Sequence, residues 1–298
     1  MTESTHEQAQ HEQAVNAYYD IHTRGFYLEG WHPEHIHFGI FDERKDTFCQ
    51  EHPESPVEDC DIAVNRMASL FVDSANIQPG ELVVDAGCGV GGTALHIAAT
   101  LGNQVVGLNI NEQQIAIARK RTGEAGLAGK VRYEYADGSQ LLPLDDASVD
   151  VIINIESACH YSNRARFIEE CARVLKPGGR IAAQDWMATD TLTPDDHATY
   201  IKPLEAAWVM HDLDSLTSYR GLLEAAGLRV SNSMPLTEGI RPNGYIMKMG
   251  YEVLSVREAL SPLGEYESGN SERFHTFVDA LLNGYLVIGH YVAIKMKS

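Results

Sequence analysis

Apolar positions along the chain fall into two alternating periods. Seven short runs read as strands, separated by turn residues: Leu82 to Val84, Val105 to Leu108, Val131 to Tyr135, Val149 to Ile155, Arg180 to Trp186, Leu228 to Ser233 and Tyr285 to Lys297. Between them the spacing turns helical. Thr93 to Ala99 has no breaker, Asn111 and Gln114 form a capping pair for a helix through Ile115, Ala118 and Arg119, and Arg166 to Leu175 and Leu216 to Ala226 are two more. Ser55-Pro56 opens an earlier helix over 55–76, which Pro79-Gly80 ends. Val149 to Ile155 is apolar enough to be buried on both faces, as parallel strands are. Strands alternating with helices predict an α/β fold, with a seven-stranded, mostly parallel sheet and helices on both faces.

The periodicity also divides the sequence. Residues 1–13 are polar and acidic and predict a disordered tail. Residues 14–78 hold a dense aromatic cap and the first helix, and 79–298 form the core. With the N-terminal segment, two insertions predict helical cap or lid segments. The first, about 187–214, reads as irregular and is rich in Thr, Asp and His; the second, about 236–283, carries Tyr245, Met247, Met249, Tyr251, Phe274 and Phe277, suited to an apolar pocket.

Composition narrows the partners. The 298 residues carry a formal net charge of −19, and residues 1–60 alone hold 13 Asp/Glu against 3 Lys/Arg. Nucleic acid and anionic membrane surfaces bind mainly through basic patches, so neither is expected. The odd count of 5 cysteines, with no Cys-x-x-Cys pair, fits reduced thiols. No apolar run approaches the length of a membrane span, and the N-terminus lacks a signal-peptide layout, so the expectation is a soluble cytoplasmic protein. His32, His35, His37 and His52 match no helix-face ligand spacing and no carboxylate completes a triad; no metal is assigned.

The chemistry starts at Val83-Val84-Asp85-Ala86-Gly87-Cys88-Gly89-Val90-Gly91-Gly92, a strand, a glycine turn and a helix start. Such a turn holds ligands by main chain at a helix N-terminus. Gly87, Gly89 and Gly92 also satisfy the dinucleotide pattern. Asp85 speaks against it, because a carboxylate there repels a pyrophosphate and suits an ammonium group. Asn109, where a dinucleotide site places an acidic ribose ligand, opposes a dehydrogenase as well.

Asp-x-Gly-x-Gly-x-Gly after a strand resembles motif I of the S-adenosylmethionine-dependent methyltransferases of the Rossmann-like class. Tyr18-Tyr19-Asp20, Thr23, Phe26-Tyr27 and Gly30-Trp31, followed by His35-Ile36-His37-Phe38, resemble the aromatic N-terminal region of the sterol C-methyltransferases that alkylate the sterol tail. They are similar, more loosely, to tocopherol C-methyltransferases and bacterial natural-product methyltransferases. Gly107-Leu108-Asn109-Ile110-Asn111-Glu112 and Ile155-Glu156-Ser157-Ala158-Cys159-His160 resemble the same family, and the match runs over about residues 17–190.

The resemblance implies a Rossmann-like fold, S-adenosylmethionine as cofactor, and cofactor contacts from Asp85, Gly87, Cys88, Gly89, Gly91, Asn109, Ile110, Gln114, Asp137, Gly138 and Glu156. In it Asn109 and Gln114 meet the ribose and Asp137 the adenine amine. It also implies methyl transfer to an alkene carbon of a terpenoid, sterol or prenylated natural product. The aromatic rings of Tyr18, Tyr19 and Trp31 would face a carbocation, with Glu156, His160 and Asp185 stabilising charge or accepting the last proton. The His-rich turn from Trp31 to Phe38 departs from the sterol pattern, which places a smaller isoprenoid or prenylated metabolite beside a sterol as acceptor. Two alternatives stay open: O- or N-methylation with His160 or Asp185 as base, and a catalytically inactive cofactor-binding protein. A homo-oligomer is also left open.

Overall fold

Strands and helices follow one another in the order the two periods predict. The computed structural model describes residues 3–24, 32, 34–41, 56–140, 142–260 and 270–297. In order along the sequence the elements are α1 (Glu3–His22), α2 (Pro56–Ala75), β1 (Leu82–Ala86), α3 (Gly92–Leu101), β2 (Gln104–Asn109), α4 (Glu112–Glu124), β3 (Val131–Tyr135) and β4 (Val149–Ile155). There follow α5 (Arg164–Val174), β5 (Leu175–Ala188), α6 (Lys202–Trp208), α7 (Leu216–Ala225), β6 (Leu228–Pro235), α8 (Thr237–Leu260), α9 (Asn270–Leu282) and β7 (Leu286–Lys295). The sheet order is β3-β2-β1-β4-β5-β7-β6. β1 to β5 pair in parallel, and β7 runs antiparallel between β5 and β6. The strand order reverses between β1 and β4, where open α/β sheets form their crevice.

Each sheet face buries its own core. One joins Val83, Val105, Ile153, Ala182 and Trp186 to Met67 and Phe71 of α2, Ile97 of α3 and Phe277 of α9. The other joins Val84, Ile152, Ile181 and Ala183 to Phe167 and Ile168 of α5 and Tyr219 of α7. Alternating side chains along each strand thus go to opposite layers.

Two expectations are corrected. Residues from Glu3 onward are the start of α1 and not a disordered tail. Ala, Gln and Glu are good helix formers, and the helix is tied down by buried Val15 and Tyr18 and by His11 Nε2, which donates to the His160 carbonyl at 2.8 Å. The stretch 187–214 is not irregular either. β5 continues to Ala188, a capping box between Thr193 and Asp196 opens a helical turn, and a π-helical turn (His197–Ile201) leads into α6. Ile201, Leu204 and Trp208, three and four residues apart, supply its buried face. In the second insertion, α8 and α9 pack against one another beside β7. Among the described residues, no helix is long and apolar enough to cross a membrane.

Candidate active site

A cavity of about 890 Å³ opens at the carboxyl ends of β1, β2 and β4, roofed by α1 and by the strap of residues 34–37. Its wall includes Asp85, Gly87, Cys88, Gly89, Asn109, Ile110, Gln114, Asp137, Gly138, Glu156, Tyr19 and His160. The glycine turn forms because β1 must reverse into α3 within a few residues. Gly87 takes φ +81°, and a Cβ there would collide with the Ser157 side chain. Gly91 has a similar left-handed backbone, at φ +85°. A Cβ on it would strike the Tyr133 hydroxyl and Ala118, so it fits α3 against its neighbours and is absent from the cavity wall.

Asp85 is 2 % exposed and its Oδ2 has no hydrogen-bond partner. Burial pushes its carboxyl up to about 7, against the pull of a hydrogen bond from the Ala94 backbone N–H. An ammonium group on a ligand would satisfy that oxygen, and this is the observation by which the cavity fits an aminoacyl sulfonium cofactor. At the next strand tip, Asn109 Nδ2 donates to Gln114 Oε1 at 2.7 Å, and Gln114 Nε2 donates to Thr23 at 3.0 Å. The two amides are thereby fixed side by side. At the β3 tip, Asp137 accepts from the Ser139 N–H and from Gln140 Nε2, both at 2.8 Å.

A second chamber of about 420 Å³ shares Tyr19, Ile36, His37, Glu156 and His160 with the first. Its remaining walls are Phe38, Cys159, Trp186, Trp208, Met210 and Met247. Phe38 stacks on Trp186 with centroids 5.2 Å apart, and on Phe277 at 4.6 Å; Trp186 meets Trp208 at 5.2 Å.

Glu156 stands at the common wall. It has φ +48°, a left-handed conformation uncommon for a non-glycine residue, at the point where β4 turns into the helical turn Ala158–His160. Its carboxylate accepts from the Phe38 N–H at 3.2 and 3.3 Å, from Trp186 Nε1 at 3.0 Å and from Gln184 Nε2. Burial nevertheless pushes it up to about 8. His160 is also fixed. Its Nδ1 donates to the Val209 carbonyl at 2.9 Å, so the neutral ring offers Nε2 to the Tyr19 hydroxyl at 3.0 Å. Burial lowers His160 to about 4 and keeps the ring neutral at physiological pH.

Besides Gly91, two expected residues stand elsewhere. Asp185 is fully buried on the opposite sheet face, where it accepts from the Tyr219 hydroxyl and from the Trp186 N–H at 3.0 Å. Strand alternation is the reason: Gln184 and Trp186 take the cleft side of β5, and Asp185 between them takes the other. Tyr18 is buried outside both chambers, under the Arg273 guanidinium at 5.3 Å. Trp31 lies outside the described residues. Conversely, Gln184, Trp208 and Glu12 belong to the site although no motif marks them. Helical spacing from Ile201 and Leu204 carried a signal for Trp208. Among the described residues, no group of three His, Cys, Asp or Glu is arranged to hold a metal.

Comparison with known proteins identifies the family and the fold. The family described as "Methyltransferase domain" matches residues 84–183. An O-methyltransferase of Pyrenophora dematioidea is 33% identical over 242 residues, 80% of this chain and 84% of that protein. Cycloartenol-C-24-methyltransferase of Arabidopsis thaliana is 32% identical over 218 residues, 72% of this chain and 60% of the relative. Among solved structures, geranyl diphosphate C-methyltransferase from Streptomyces coelicolor A3(2), in complex with Mg2+, geranyl diphosphate and S-adenosyl-L-homocysteine, superimposes with a TM-score of 0.74 at 19% identity, covering 96% of this chain and 98% of that one. The chain belongs to the S-adenosylmethionine-dependent methyltransferases that act on small molecules.

Proposed function

We propose that this methyltransferase alkylates an alkene carbon of a small isoprenoid or prenylated acceptor bound in the second chamber. The observation that carries the reading is Glu156, a carboxylate fixed in the wall common to both chambers and surrounded by Phe38, Trp186 and Tyr19. The cofactor supplies an electrophilic methyl carbon: the acceptor's π electrons form the new carbon–carbon bond as the carbon–sulfur bond breaks, which leaves a positive charge on the acceptor. The protein's own residues then have two tasks. Aromatic faces and the Glu156 carboxylate hold that charge, with about 0.5–2 kcal/mol from each well-placed ring. Glu156, ionised, takes the proton from the adjacent carbon and a new double bond forms. Apolar walls from Met210, Met247 and Trp208 keep water from capturing the cation. The names of the Arabidopsis and Streptomyces proteins, both C-methyltransferases, point the same way.

One observation favours a second reading. His160, with Nε2 turned toward the Tyr19 hydroxyl, could take a proton from an acceptor hydroxyl, and the Pyrenophora relative is named as an O-methyltransferase. Asp185 has no part in it, because it faces the other layer. Glu156→Gln separates the readings: turnover of an alkene acceptor falls by roughly 100-fold or more while S-adenosylhomocysteine affinity changes little. An unchanged rate in that variant overturns the proposal.

A further inference from the structure

The cofactor cavity has a wall that no glycine turn or strand tip provides. Glu12 projects from α1 into the corner occupied by Asp137. Gln140 Nε2 bridges the two residues, donating to Glu12 Oε1 at 3.1 Å and to Asp137 Oδ2 at 2.8 Å. The two carboxyl groups are thereby held next to one another. Two adjacent carboxyl groups do not both ionise readily, and burial followed by Asp137 pushes Glu12 up to about 7. Tyr135 and Asp137 face Glu12 from the end of β3 and Gln140 from the turn beyond it. On α1 itself, the His11 ring is turned to the His160 carbonyl, and Asn16 Nδ2 donates to the Glu12 carbonyl at 3.3 Å.

An acid beside a carboxylate offers one donor and one acceptor. The edge of an aminopurine carries the complement, an amine that donates and a ring nitrogen that accepts. We propose that Glu12, in its protonated form, is a cofactor-binding residue that recognises the adenine together with Asp137 and so fastens α1 over the occupied cavity. The inference rests on the placement of the adenine at Asp137, and it makes α1 part of the cofactor site. Among the described side chains that line the cavity, Glu12 is the carboxyl next to Asp137.

The test uses the full-length protein and 5′-methylthioadenosine, which carries the adenine but no amino-acid end, so that Asp85 meets no ammonium. Binding is measured by calorimetry at pH 6 and pH 8.5. With Glu12 titrating at about 7, its protonated fraction falls about thirtyfold between those values, and wild-type affinity falls with it. Glu12→Gln keeps a donor and an acceptor, binds about as tightly as wild type at pH 6, and loses the pH dependence. Glu12→Ala binds at least fivefold more weakly at pH 6. Wild-type affinity in Glu12→Ala, or an unchanged pH dependence in Glu12→Gln, overturns the inference. Asp137→Ala distinguishes its failure from that of the reading beneath it. If that variant binds like wild type, the adenine does not sit in this corner; if it alone is weakened, only Glu12 is dismissed.

Discussion

Replacing Trp186 by Phe removes one hydrogen-bond donor from the site and leaves an aromatic ring against Phe38. The indole Nε1 donates to Glu156 at 3.0 Å, and a hydrogen bond to a charged acceptor is worth about 1.5–3 kcal/mol. Most of it favours the ionised carboxylate, since a protonated acid accepts more weakly, so its loss makes ionisation harder. At about 1.36 kcal/mol per pH unit, the Glu156 carboxyl moves from about 8 to roughly 9–10. If the ionised form is the active one, kcat/KM at pH 7.5 falls about 8-fold to 80-fold. At pH 9.5 the same variant loses only about fourfold or less, because most of the wild-type and much of the variant carboxyl is ionised there. The assay is kcat/KM across pH 6 to 10 for both proteins, with thermal unfolding at each pH as a control. A loss of equal size at every pH would show that the indole merely packs. An unchanged profile would remove Glu156 ionisation from the mechanism.

Other residues give separate tests. Tyr219→Phe takes a donor from the buried Asp185 carboxylate and should cost about 1–3 kcal/mol of stability by denaturant unfolding, with kcat unchanged; a selective loss of kcat would return Asp185 to the chemistry. Asp85, pushed up to about 7, must ionise to hold the ammonium of S-adenosylhomocysteine. In Glu12→Gln, whose adenine contact does not titrate, affinity for that ligand should therefore drop about tenfold from pH 8 to pH 6, the opposite sign to the Glu12 effect, and a flat profile in that variant would contradict the pairing. His160→Ala should leave an alkene acceptor consumed, with an altered product distribution seen by chromatography. Complete loss of turnover with retained cofactor affinity would favour a hydroxyl acceptor.

The sheet was legible because its strands are short, apolar and bounded by glycine or proline, and because β4 is apolar throughout. The wall of the first cavity was legible for a related reason: Asp85 to Gly89, Asn109 to Gln114 and Asp137 to Gly138 each occupy a few consecutive positions at a strand tip. The acceptor chamber is different. Phe38, Glu156, Trp186, Trp208 and Met247 lie far apart in sequence and meet only after packing. Asp185 was misplaced because β5 is buried on both faces, so the hydrophobic pattern does not show which side looks into the cleft. The start of α1 was missed because residues 3–13 are polar apart from Ala9, and its contacts to Gln140 and His160 are more than 120 residues away in sequence. For the same reason Glu12 carried no signal.

The most direct measurement of the central claim follows the methyl group itself. The protein is incubated with S-adenosylmethionine carrying a labelled methyl carbon and with linear isoprenoid alkenes beside phenols and amines. Product NMR then locates the label. Label bonded to an sp3 carbon next to a shifted double bond is the expected result. Label on oxygen or nitrogen would contradict the alkene reading and turn the aromatic chamber around Glu156 into pocket lining.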